Sequence, residues 1–87
     1  MKLKNLGSNV KELNYTGIYG TEEAVLFSYE TPVAGFDAFG PFRTSDTSQQ
    51  QGSRTTKKHI KQYFQSKGWE MDTIRFVPQY YIDSLVN

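Results

Sequence analysis

Read for alternation and periodicity, the chain separates into a strand-forming first half and a helical second half. Ala24-Val-Leu-Phe-Ser-Tyr-Glu30 gives the strongest strand signal: Val25, Phe27 and Tyr29 alternate with Ala24, Leu26 and Ser28, and nearly every position is apolar. Such a run predicts a central strand. Val10–Tyr15 alternates more weakly and predicts a short strand, joined to the first through a hairpin loop over Thr16-Gly-Ile-Tyr-Gly-Thr21. Thr31-Pro32 is expected to break the central strand, because proline lacks the N–H a ladder needs; Val33–Asp37 then resumes at an edge. Phe39-Gly-Pro-Phe42 reads as a turn, and Phe42–Thr44 as one more short strand.

The helical period of about 3.6 residues takes over at Arg54. Ile60, Tyr63 and Phe64 recur on one face over Arg54–Lys67, while Arg54, Lys57, Lys58 and Lys61 gather on another. Thr55 or Thr56 offers a capping hydroxyl, and Gly68 suits the left-handed residue that closes a helix. Thr73–Val77 alternates as a last strand, with Ile74 and Phe76 on one face. Pro78 fits the first turn of a short second helix carrying Tyr81, Ile82, Leu85 and Val86 as its apolar stripe.

These elements predict an α+β fold: a small, mainly antiparallel sheet of three to five strands, packed on one face by a main helix over about 56–67, plus a short C-terminal helix. The expected core is Ile60, Phe64, Val25, Phe27, Leu26, Trp69, Ile74 and Phe76. With 87 residues the chain holds one domain, in which 1–9 is a partly flexible lead-in turning at Gly7-Ser8-Asn9 and 45–53 a flexible polar loop.

Composition narrows the function classes. There is no cysteine, so neither a disulfide nor a thiolate metal site supports the fold, which fits a reducing cytoplasm. No apolar run reaches the length of a membrane span, and Met1-Lys-Leu-Lys4 lacks the apolar stretch of a signal peptide. The net charge of +1 conceals a polarised chain: Arg43 to Lys67 carries +5 and the remainder −4.

Catalytic constellations are weak. Ser28 lacks a nucleophile-elbow context, Gly17 and Gly20 lack the Lys-Ser/Thr of a phosphate loop, and Glu22, Glu23 and Glu30 read as solvated charge. His59, the single histidine, has no metal-ligand spacing to other residues. At the border of the packed face it is either a stacking, phosphate-contacting or titrating group, or a helix-edge side chain bonded to a backbone carbonyl or to the sheet. The expectation is a non-enzyme without cofactor or metal.

Two surfaces remain. Arg43, Arg54, Thr55, Thr56, Lys57, Lys58, His59 and Lys61 form a candidate phosphate-binding face, because lysine and arginine neutralise phosphates and helix N-termini hold them. Phe36 and Phe39, flanking Asp37 in a turn-rich segment, form a candidate exposed interaction patch.

The phrases Leu6-Gly-Ser-Asn-Val10, Leu26-Phe-Ser-Tyr-Glu-Thr-Pro-Val-Ala34, Phe42-Arg-Thr44 and Ser53-Arg-Thr-Thr-Lys-Lys-His-Ile60 stand in series. Together they resemble a family of small proteins encoded mostly by bacteriophages and prophages. The likeness spans most of residues 5–65; the glutamine-rich link Ser45–Gly52 is longer than is usual there, and nothing after Trp69 matches. It implies a phage-type accessory protein in a bacterial host cytoplasm, and no activity. The expectation is therefore a binding module for a host or phage protein, with non-specific nucleic-acid binding through Arg54–Lys67 as the alternative.

Overall fold

The computed structural model describes residues 2–45 and 53–86. Along the chain run β1 (Lys2–Gly7), β2 (Val10–Thr16), β3 (Glu22–Ser28), β4 (Thr31–Asp37), β5 (Gly40–Thr44), α1 (Ser53–Ser66), a 3-10 turn (Met71–Thr73), β6 (Arg75–Val77) and α2 (Gln79–Val86). Among the described residues the strands form one six-stranded sheet in sequence order. β1 to β5 are an antiparallel meander, whereas β6 runs parallel to β5 after the crossover through α1.

This corrects the expected mainly antiparallel sheet of three to five strands covered on one face. Adjacent residues of a strand point to opposite faces, and Ala24, Val25 and Leu26 are all fully buried. Leu26 packs with Val33, Ala34, Ile60, Tyr63, Phe64 and Ile74, which is the α1 side. Val25 packs with Phe42, Val77 and Ile82, which is the α2 side. The molecule is thus three layers, helix–sheet–helix, with β3 and β4 sandwiched.

β1 escaped the pattern because all six of its residues are exposed, so no buried face imposes alternation. The stretch expected as a partly flexible lead-in is instead a paired edge strand. β6 falls within the expected last strand, Thr73–Val77, but keeps only three residues of it and pairs parallel to β5. The loop expected over 45–53 falls, apart from its end residues, outside the described residues.

The central strand stops two residues earlier than its sequence suggests. Tyr29 and Glu30 form a two-residue turn, both at positive φ (52° and 70°), and β4 already contains Pro32. The register shifts there, from Leu26 opposite Ala34 to Phe27 opposite Pro32, leaving Val33 as the extra residue of a bulge. A bulge tolerates the missing N–H, and it sends both Val33 and Ala34 into the α1 cluster.

α1 closes as expected. Gly68 sits at φ 80°, its N–H donates to Gln65 O (3.1 Å), and Trp69 N–H donates to Phe64 O (3.0 Å). Those two bonds are the Schellman pair, and the Trp69 ring meets Phe64 at 5.8 Å as the accompanying apolar contact. Trp69 and Phe27 are half-buried rather than central to the core. Phe76 is wrong as a core residue: it is 67% exposed, because α1 covers Ile74 but stops short of the β5–β6 edge.

Candidate functional site

The start of α1 at Ser53 places Thr56 inside the helix, fully buried and bonded to Ser28 Oγ (3.1 Å). It therefore neither caps the helix nor offers its hydroxyl to a phosphate. His59 Nδ1 lies 2.8 Å from the same Ser28 Oγ, and its ring tilts against Tyr29 at 5.9 Å. The bond from His59 to a residue on the sheet is present. Burial, then the Lys58 charge, lowers its pKa, so the ring is neutral near pH 7. Serine and imidazole stand at nucleophile–base distance, yet Ser28 is 1% exposed and no substrate atom reaches it. The trio joins α1 to β3.

Arg54, Lys57, Lys58 and Lys61 do share an exposed face, with Thr55 half-exposed beside them. Among the described residues none of these four cations forms an ion pair. Arg43 stands on β5 instead, half-buried, with its Nε–H donating to Thr44 O (3.2 Å) and its guanidinium 5.0 Å from the Phe76 ring centre. Phe36 and Phe39 do not make one patch. Phe36 is on the α1 face, half-buried edge-on to Trp69 (5.1 Å), whereas Phe39, 73% exposed, lies in the β4–β5 turn on the α2 side.

A carboxylate absent from the sequence reading links β2 to α1. Glu12 is 2% exposed. It accepts from the Tyr63 hydroxyl and from Asn14 Nδ2 (3.1 Å), and pairs with Lys67 Nζ at 3.1 Å. Burial pushes its pKa up, but the Tyr63, Asn14 and Lys67 contacts outweigh it and the net shift is downward. Beside it, between β1 and Lys67, lies an open groove of about 560 Å³ that mixes Lys2, Lys4 and Lys67 with Glu12 and Glu22.

The more distinctive concavity is on the α2 side. A notch of about 390 Å³ lies between the β2–β3 loop, the β4–β5 turn and α2. Two carboxylates form its inner wall. Asp37 is bonded on both oxygens: Oδ1 accepts from Phe39 N–H (2.9 Å) and Arg75 Nη2 (2.8 Å), and Oδ2 from the Tyr81 hydroxyl (2.9 Å). Glu23, read from the sequence as solvated charge, is 9% exposed within β3. It accepts from the Thr21 hydroxyl at 3.5 Å and has the Tyr15 hydroxyl beside it, and among the described residues no Lys, Arg or His pairs with it. The signal was present, since Glu23 shares its strand face with Val25 and Phe27.

Tyr15, opposite Glu23 in the register, has a buried hydroxyl that finds no hydrogen-bond partner among the described residues. Burial and the neighbouring Glu23 charge push its pKa up to about 12. Burial, then the bond to Asp37, raises that of Tyr81 as well. The outer wall is apolar: Ile18 (92% exposed), Tyr19 (67%) and Phe39 (73%) line the same notch. The β2–β3 loop holds its shape through Gly17 N–H to Thr21 O (2.9 Å) and Gly20 N–H to Gly17 O (3.0 Å). A Cβ at Gly17 would meet the Glu23 carboxylate, which would have to shift to admit it.

Comparison with known proteins gives one family: the model of a family of unknown function (DUF8033) matches residues 1–77, leaving α2 beyond the matched stretch. No curated protein and no solved structure matches the chain. Among the described residues no helix is long and apolar enough to cross a membrane, and no three His, Cys, Asp or Glu residues group as metal ligands.

Proposed function

We propose that this chain, which belongs to the family of unknown function matched over residues 1–77, is a non-catalytic binding module that docks a host or phage protein at the α2-side notch. The observation that carries this reading is the convergence of Ile18, Tyr19 and Phe39, three large and highly exposed side chains, on one concavity. Exposed apolar groups around a polar-floored recess are the anatomy of an interface. The phrases around Leu26–Ala34 and Ser53–Ile60 support a phage-type protein working in a bacterial cytoplasm.

The test is affinity purification of tagged chain from phage-infected cells, with nuclease, comparing the parent with an Ile18→Ser/Phe39→Ser double variant. Both residues are exposed, so the variant keeps the parent's thermal midpoint. A partner held by the parent and lost by the variant supports the notch. Equal retention by both would remove it.

A second reading rests on the charges of Arg54, Lys57, Lys58 and Lys61, none of which is ion-paired among the described residues. If these hold phosphates, replacing Lys57, Lys58 and Lys61 with Gln flattens the log–log salt dependence of nucleic-acid binding by about 0.7–0.9 per lost contact. Affinity falls alike for unrelated sequences, since such contacts carry no base code.

A further inference from the structure

We infer that the notch receives a cationic side chain, arginine or lysine, of the docked partner, with Glu23 as its counter-charge; this rests on the docking reading and names the chemistry of its central contact. A carboxylate taken out of water without a cation or a full set of donors is costly. Glu23 is nine-tenths buried, has only the neutral hydroxyls of Thr21 (3.5 Å) and Tyr15 beside it with no cation among the described residues, and lines the open notch. Asp37 does not share this condition, because Arg75, Tyr81 and the Phe39 amide already occupy both of its oxygens. The recess therefore holds one satisfied carboxylate and one that still accepts.

The Tyr15 hydroxyl stands beside Glu23 in the same recess, a neutral group that supplies no counter-charge. It is buried, borders the notch and has no partner among the described residues, so its oxygen is free to accept an N–H from the same incoming group. The walls suit such a guest: Tyr19 and Phe39 offer aromatic faces to a cation, and Ile18 and Leu85 offer apolar surface to its methylene stem. A calcium ion fits poorly, since it gathers about six to eight oxygens and both Asp37 oxygens are already engaged by donors, one of them the Arg75 cation.

The experiment is an amide chemical-shift titration of the full chain with three small probes: N-acetyl-arginine-methylamide, N-acetyl-lysine-methylamide and the neutral isostere N-acetyl-citrulline-methylamide. At least one charged probe shifts the amides of residues 17–21, 38 and 39, and the citrulline probe at equal concentration leaves them in place. Glu23→Gln weakens that binding by about tenfold or more, as expected for a lost charge-assisted hydrogen bond. Phe39→Ala, at an exposed position, weakens it severalfold and remains informative if Glu23→Gln does not fold. Equal shifts with citrulline, silence from both charged probes, or binding unchanged in the folded variants would overturn the inference.

The two readings fail separately. Silent probes with partner capture still lost in the Ile18→Ser/Phe39→Ser variant sink the cation pocket and keep the docking surface. Probe binding with capture unchanged in that variant does the reverse.

Discussion

At the scale of single residues, the chain treats its two buried glutamates in opposite ways. Glu12 is enclosed by donors, and Glu23 is left facing a recess. The first is a stability element. Because the folded-state pKa of Glu12 is depressed below its ordinary 4.5, its contribution is present above that value and is lost as pH falls through the folded pKa. Glu12→Gln therefore destabilises at pH 7, by about 1–3 kcal/mol for the weakened bonds to Tyr63 and Lys67. Urea unfolding at pH 7 and below pH 4 checks this: the gap between parent and variant narrows at acid pH. A gap that stayed constant would mean that the charge of Glu12 contributes nothing. Glu12 does not stand out in the sequence, because a carboxylate in a weakly alternating strand looks like solvated surface until the opposing helix is known; Glu23 was legible from sharing a strand face with Val25 and Phe27.

At the scale of elements, the β3–β4 turn is the clearest conflict between local preference and fold. Two-residue turns with both φ positive favour Asn-Gly, and here the residues are Tyr29 and Glu30. A side chain in the left-handed region costs roughly 1–2 kcal/mol. Tyr29 has a local use, its N–H donating to Asn9 O (3.0 Å) and its ring meeting His59. Glu30 is exposed and makes no such contact among the described residues. Replacing Glu30 with Gly should raise stability by about 1 kcal/mol, read as a higher urea midpoint at unchanged slope; a loss would show that the glutamate side chain supports the turn. This also marks how far the elements were legible. β3, α1 with its closing glycine and α2 with its leading proline announce themselves, because burial imposes a period and caps demand particular residues. The Tyr-Glu turn does not, and Pro32 misplaced the break by two residues because a bulge accommodates it.

At the scale of the whole molecule, the sheet separates two small cores that share only its backbone. Ile60 lies in one and Ile82 in the other, both fully buried. Each Ile→Val change should cost about 0.5–1.5 kcal/mol, and the pair should sum to within about 0.5 kcal/mol. Marked non-additivity in urea unfolding would mean that the faces communicate through β3 and β4. The second core was hidden in plain view: the doubly apolar run Ala24–Leu26 required cover on both faces, but nothing local says that α2 returns to the face opposite α1. The notch was hidden for the same reason, being assembled from a loop, a turn and a terminal helix far apart in the chain; Phe39 alone was singled out beforehand. One consequence concerns how the molecule bears force. β1 has every residue exposed, and its first registered pair is Lys2 with Asn14. A load applied at the N-terminus meets the hairpin end-on and opens it pair by pair towards Gly7, against backbone hydrogen bonds alone, before it reaches strands whose side chains are locked between two helices. Tension drawn from that end thus peels a strip from the sheet at low force while leaving both cores, and the notch between β2–β3, β4–β5 and α2, intact.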